Sequence, residues 1–223
     1  MLSEEKLLRA LIREQIKDLA PEKLRVLDFD DTIAYTTERV RVETPGIEPG
    51  YKMISSEEFA IYDLAKDEYF DPDVAFTEFS KVDINLAEPV SLVADLLTTF
   101  VKAAGNRKVL ILTARGPDVE PFVMEFLEKK LGIKNPSDKI DFVGVNSKDP
   151  MAKVRVIKQY LQDHSEIKFV SFYDDSGKNV NAVKAFIDKL NFRRDDDEKI
   201  RNDIRRVVSD EEGNVRLVKP EDE

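Results

Sequence analysis

Between residues 24 and 190, four short apolar runs alternate with four segments of helical periodicity, and this rhythm leaves few folds open. The runs fall at 24–28, 108–113, 140–145 and 168–173. Each is short and bounded by turn residues, so each reads as a buried strand. The spacing predicts helices over 89–104, ended by Gly105, and over 118–131, ended by Gly132. Two more follow at 150–162, opened by Pro150, and at 178–190. Strands that are apolar along their whole length and separated by helices form a parallel sheet covered on both faces. In such sheets ligands bind at the carboxyl ends of the strands. Those ends are where chemistry is to be sought.

Three stretches stand outside the rhythm. At 3–19, Leu8, Leu11, Ile12, Ile16 and Leu19 recur at helical spacing, with Ser3 as N-cap. This stripe predicts a helix packed on the protein's own sheet; the alternative is a helix that docks a partner or joins copies of the chain. Residues 34–88 interrupt the first crossover. Within them 40–43 and 51–54 flank a turn rich in Pro and Gly and predict a β-hairpin. The remainder, with Phe59, Tyr62, Tyr69, Phe70, Phe76 and Phe79, reads as a short helix and irregular chain whose aromatics serve its own packing, the alternative being a base-stacking platform. Beyond residue 190 the chain is dense in charge. A short helix through Ile200 and Ile204 is expected there, then a hairpin of 207–208 with 215–218. The organisation is therefore a helix at 1–20, a main domain at 21–190 with an insert at 34–88, and an extension at 191–223.

Composition removes whole classes of function. The 223-residue chain has no cysteine, so disulfides, thiolate nucleophiles and zinc–thiolate sites are excluded. Its one histidine, His164, lies in a polar stretch and reads as a solvated helix end. Catalysis must run on carboxylates, lysine and hydroxyls. A formal charge of −10 opposes binding along a duplex. No apolar run reaches the ~18 residues of a membrane span, and the N-terminus lacks the apolar centre of a signal peptide. The chain reads as cytoplasmic.

The first strand runs into Asp28-Phe29-Asp30-Asp31-Thr32. Alternation in extended chain puts Asp28 and Asp30 on one side, where two carboxylates repel unless a cation or a shared proton intervenes. A hard divalent ion such as magnesium meets that need. An acidic turn capping a helix accounts for this cluster equally well, so the other strand ends decide. The second ends at Thr113, followed by Arg115, which either reaches substrate or caps the turn before Pro117. The fourth ends in Asp174-Asp175. Lys153 falls in the first turn of the helix that begins beside the site. Lys158 lies ~7.5 Å farther along the axis and is rotated ~140° away, which makes it a surface residue, with Lys148 the substitute amine. An acidic pair, a hydroxyl, a lysine and a second acidic pair thus converge on one edge.

In that order, Val26-Leu27-Asp28-Phe29-Asp30-Asp31-Thr32, Thr113, Lys153 and Asp174-Asp175 resemble the four motifs of the haloacid dehalogenase superfamily of phosphohydrolases. Asp31 stands where many members carry glycine. The resemblance implies a Rossmann-like core with a small hairpin flap after the first motif, which suits residues 40–54. It implies that Asp28 attacks phosphorus to give an aspartyl phosphate, and that Asp30 serves as general acid and then base. It further implies magnesium (Mg2+) held by the Asp28 carboxylate, the Asp30 carbonyl and an acid of the fourth motif. Asp174 is the favoured ligand, with Asp175 close behind and Asn179 its partner in the alternative alignment. Thr113 and Lys153 would hold phosphate oxygens.

The function so implied is hydrolysis of a phosphomonoester, either of a small molecule such as a nucleotide or at a nucleic-acid end. A catalytically idle domain of the same fold that binds a partner is the second reading, and a phosphotransferase shares the intermediate. Within the insert, Arg39, Arg41 and Lys52 of the hairpin are expected to contact substrate, because the rest carries mostly carboxylates beside Lys66 and Lys81.

Overall fold

The computed structural model describes residues 22–71, 73–103, 106–210 and 212–222. The N-terminal stripe at 3–19 and the helix-ending Gly105 lie outside them. The described chain begins at β1 (Lys23–Leu27), passes a short β2 (Ala34–Tyr35), and forms the hairpin β3 (Val40–Glu43) and β4 (Tyr51–Ile54). A helix α1 (Ser56–Ile61) and a stretch of turns lead to β5 (Glu88–Pro89), which pairs with β2. Then the alternation sets in: α2 (Ser91–Lys102), β6 (Arg107–Thr113), α3 (Glu120–Lys129), β7 (Asp141–Gly144), α4 (Pro150–Asp163), β8 (Phe169–Asp174) and α5 (Gly177–Asn191). Two strands close the chain, β9 (Arg201–Ser209) and β10 (Val215–Val218).

The result is a mixed α/β architecture around one six-stranded sheet in the order β10-β9-β8-β1-β6-β7, parallel except at β10. Strand alternation sorts the core into two layers. Leu27, Val109 and Ile111 meet Val93, Leu97 and Phe100 of α2 and Val123, Phe126 and Leu127 of α3. Val26, Leu110 and Leu112 turn the other way, to Val154, Ile157 and Leu161 of α4 and Val180, Val183 and Ile187 of α5. Period-two alternation along β6 is what sends neighbours to opposite layers. The chain changes face after β7, so the winding reverses between β1 and β8. At such a reversal the loops leave the strand ends in opposite directions and open a crevice. Among the described residues no helix is long and apolar enough to cross a membrane.

The hairpin forms with the expected strands, in the register Val40↔Ile54 to Glu43↔Tyr51. Beside it Val40, Val42, Ile54, Phe59 and Phe79 form a small third core, onto which Tyr62, Phe70 and Phe76 pack. The aromatics of the insert therefore do pack on one another. The helix expected through Ile200 and Ile204 is not there: residues 201–209 are a strand parallel to β8. A spacing of four residues suits both periods, since it is one helical turn and also two strand repeats. Val207 decides between them. Three residues from Ile204, it packs in the opposite layer, as an odd offset in a strand requires. Residues 201–218 thus extend the central sheet and cover the edge that β8 would otherwise expose.

Candidate active site

Asp28 follows β1 directly, and its N–H donates to the Tyr173 carbonyl at 2.9 Å, continuing the ladder onto β8. Its carboxylate therefore emerges at the β1–β8 reversal, beside Asp174 at the end of β8. Carboxylate oxygens of Asp28, Asp174 and Asp175 lie within 4.8 Å of one another. Lys153 reaches them from the first turn of α4, which Pro150 opens and Asp149 caps by accepting from Met151 N–H. It is almost wholly buried, with Nζ 2.8 Å from Asp28 Oδ1 and 2.7 Å from Asp174 Oδ2. The contact to Asp174 is a hydrogen bond. The one to Asp28 is a close ion pair, and Lys153 is the partner that Asp28 Oδ1 meets among the described residues.

Charge in this cleft is poorly compensated. Burial pushes the Asp28 carboxyl up to about 7; Lys153 opposes the rise, and Asp174 and Asp30 add to it. Asp175 is likewise pushed well above the usual carboxylate range, by burial first and then by Asp174 and Asp28. Lys153 moves upward: burial works against its charge, but Asp174 and Asp28 outweigh that. Three clustered carboxylates, two of them shifted toward protonation and all three with one lysine between them, are a donor set that a hard divalent cation would complete.

The two acids of the fourth motif differ in what they have left to offer. Asp174 is fully buried and saturated: Oδ1 accepts from Ser176 N–H and Asn179 Nδ2, both at 2.9 Å, and Oδ2 from Lys153. Asp175 accepts one contact of 3.5 Å from Thr32. Free lone pairs favour Asp175 as the direct cation ligand, the reverse of the order read from sequence. Asn179 serves Asp174 rather than Asp175.

Asp30 faces a different neighbour. Arg115, also wholly buried, holds it in a fork, with Nη2 2.6 Å from Oδ1 and Nε 2.9 Å from Oδ2, while Thr36 Oγ1 donates at 2.7 Å. Burial alone would raise Asp30, but the Arg115 charge and hydrogen bonds, with Thr36, bring it below the usual carboxylate value. The remaining Arg115 donors reach Glu38 at 3.2 Å and the carbonyls of Phe79 and Lys81, and its guanidinium lies 4.1 Å over the Phe79 ring. Every arm of Arg115 is thus turned to protein. Read from sequence as a substrate contact or a turn cap, Arg115 ties the insert to Asp30 and also borders the adjoining cavity. Glu38 and Thr36 were not singled out from sequence, and no local pattern marks them.

Asp31 sits at φ 53°, a left-handed conformation that favours glycine and that Asp tolerates better than most side chains. Its carboxylate accepts from Ser56 Oγ at 2.7 Å. Burial still pushes it up to about 6. Thr113 is fully buried, and its Oγ1 accepts from Arg115 N–H at 3.2 Å. Lys158 is on the surface as expected. Lys148 lines the cleft mouth and donates to the Tyr62 carbonyl at 2.5 Å.

The hairpin cations do not face this cleft. Arg41 pairs with Glu43 at 2.6 Å and Lys52 with Glu68 at 2.6 Å. Arg39 and Arg41 border a separate hollow with Tyr51 and Thr77. Local carboxylates have taken the charges of Arg41 and Lys52, and Arg39 borders the separate hollow, so the expected substrate contact is withdrawn. The insert reaches the cleft through Ser56, Phe59 and Phe79 instead. No family model, curated protein or solved structure matches the chain.

Proposed function

We propose that this protein is a magnesium-dependent phosphomonoester hydrolase that works through an aspartyl phosphate on Asp28. The observation that carries this reading is Lys153 held between Asp28 and Asp174 at the sheet's reversal, with Asp30 across the same crevice. The likeness of the four motifs to haloacid dehalogenase phosphohydrolases supports it, as does a hairpin placed where their flap stands on a Rossmann-like core. Asp28, Asp175 and the Asp30 carbonyl would hold the cation, which when bound neutralises charge on the transferring oxygens.

Asp28 must be ionised to attack phosphorus, and Lys153 is the cation that favours this form. The attack forms a bond from a carboxylate oxygen to phosphorus and expels the alcohol. Water then attacks the acyl phosphate and frees Asp28. Arg115 holds Asp30 as a carboxylate, so the resting site is set for the second half, in which Asp30 takes the proton from water. To protonate the leaving alcohol in the first half, Asp30 must first take up a proton from solvent, which requires the Arg115–Asp30 pair to loosen as substrate enters. Aryl phosphates need little such protonation and should turn over fastest. Hydrolysis of an aryl phosphate with magnesium, against chelator and against Asp28→Asn, tests the reading. Turnover that survives both would refute it.

A further inference from the structure

The cleft that holds Asp28, Asp30 and Lys153 has a volume of about 40 Å³, room for about three water-sized particles. A phosphoryl group fills it, so the rest of any substrate must lie elsewhere. Directly beside it opens a cavity of about 340 Å³ that shares Phe59, Phe79, Ala114, Ser147 and Lys148 with the cleft. That volume falls within the range of small-molecule sites. One wall is aromatic: Phe59, Phe70, Phe76 and Phe79 line it, with Phe59 ring centroids 5.6–5.9 Å from the other three. Phe70 and Phe76 are only partly buried. Polar groups line the cavity as well, from Asp118, Asn146 and Ser147, beside Pro117 and Val119.

From this juxtaposition we propose that the cavity takes a nucleobase, and that the substrate is a nucleoside monophosphate whose phosphate lies on Asp28. The inference rests on the hydrolase reading above for the phosphate, but the cavity stands on its own geometry. A flat ring stacks on phenylalanine faces, and a base also carries donors and acceptors along one edge. A lining of rings together with Asn, Ser and Asp groups suits that combination, whereas an alkyl chain would leave the polar groups unpaired and a sugar would leave the rings unused. Asn146, at φ 47°, is held in place by donating its N–H to the Arg115 carbonyl at 3.0 Å. That bond ties the loop after β7, with Asn146 and Ser147, to the loop after β6 that carries Arg115, Gly116 and Asp118. Net charge of −10 favours a mononucleotide over a nucleic-acid end as the source of the base.

The test compares nucleoside monophosphates with ribose 5-phosphate and glycerol phosphate, which share an alkyl leaving group but lack the base. Parent kcat/KM should be at least tenfold higher for the nucleotides. Ser80→Leu, which projects into the cavity, and Phe76→Ala, which removes a ring, should each cut that preference at least fivefold. Glycerol phosphate turnover should stay within twofold. Phe76→Ala also opens the small third core, so Ser80→Leu is the decisive variant if the other loses its fold. Equal kcat/KM for all substrates overturns the pocket while leaving the hydrolase reading intact. Calorimetry of the parent with free nucleosides covers the converse: binding that Ser80→Leu abolishes supports the pocket even if no phosphate is released, and no binding overturns it. Terminally phosphorylated oligonucleotides identify the source; turnover above that of mononucleotides assigns the base to a nucleic-acid end and overturns the mononucleotide assignment.

Discussion

Replacing Asp28 with asparagine should stabilise the metal-free protein while abolishing turnover, because the carboxylate sits in a place that disfavours its charge. Burial and the neighbouring acids raise its carboxyl from 3.8 to about 7. That corresponds to on the order of 4 kcal/mol against the ionised form at alkaline pH, and the figure already includes the attraction to Lys153. The sign follows from linkage. Folded Asp28 holds its proton more tightly than unfolded, so its contribution to stability falls as pH rises from about 4 to about 7 and is level above. Asparagine never takes on the charge. The stability gap between Asp28→Asn and the parent should therefore be small at pH 5 and widen to on the order of 4 kcal/mol at pH 8. At about 2–4 °C per kcal/mol for a chain of this size, the midpoint at pH 8 should rise on the order of 10 °C. Thermal unfolding in chelator from pH 5 to 8 measures this, and groups common to both proteins, Asp31 among them, largely cancel in the difference. Magnesium should then narrow the gap by stabilising the parent alone. A variant less stable than the parent at pH 8 in chelator, or a gap that does not change with pH, would refute the reasoning.

Two other substitutions separate roles within the cleft. Arg115→Leu leaves the Asp30 and Glu38 carboxylates buried without their partner, which should cost about 3–5 kcal/mol in urea unfolding. Arg115→Lys should recover little, because an ammonium cannot make the fork; a loss below about 1 kcal/mol for Arg115→Leu contradicts this. Asp175→Asn should weaken magnesium binding at least tenfold by calorimetry and raise metal-free stability, whereas Asp174→Asn should lower stability by leaving Lys153 short of a buried partner. The opposite pattern would make Asp174 the free ligand.

What could be read ahead of the structure was whatever is encoded locally. Short apolar runs between amphipathic helices foretell a parallel sheet, and the alternation rule then brings Asp28, Lys153, Asp174 and Asp175 to one edge, where Lys153 pairs with Asp28 and Asp174 and the three carboxylates cluster. The hairpin is equally local: its turn and its Val40 to Glu43 alternation set the register. Partner choice is not local. Arg115 meets Asp30 across 85 residues of chain, and nothing near either residue states that the guanidinium will be used up inside. Arg41 and Lys52 read as free cations until Glu43 and Glu68 are seen beside them. The end of β9 was legible as the hairpin of 207–208 with 215–218, but its start read as helix because Ile200 and Ile204 share a spacing that fits two periods, and Val207 in the opposite layer is what separates them. Nor does motif spacing reveal that Asp174 accepts from Ser176 and Asn179 while Asp175 keeps more lone pairs free.

The central claim is that Asp28 itself carries the phosphoryl group, and trapping the acyl phosphate tests it most directly. The protein would be mixed with a good aryl phosphate and magnesium, quenched in acid within the first turnover, and reduced with borohydride, which converts an aspartyl phosphate to homoserine. Peptide mass spectrometry should find homoserine at position 28 alone, dependent on substrate and absent from Asp28→Asn. Product release in the first turnover with no reduced residue, or with the label at Asp30, Asp174 or Asp175 instead, would contradict the account.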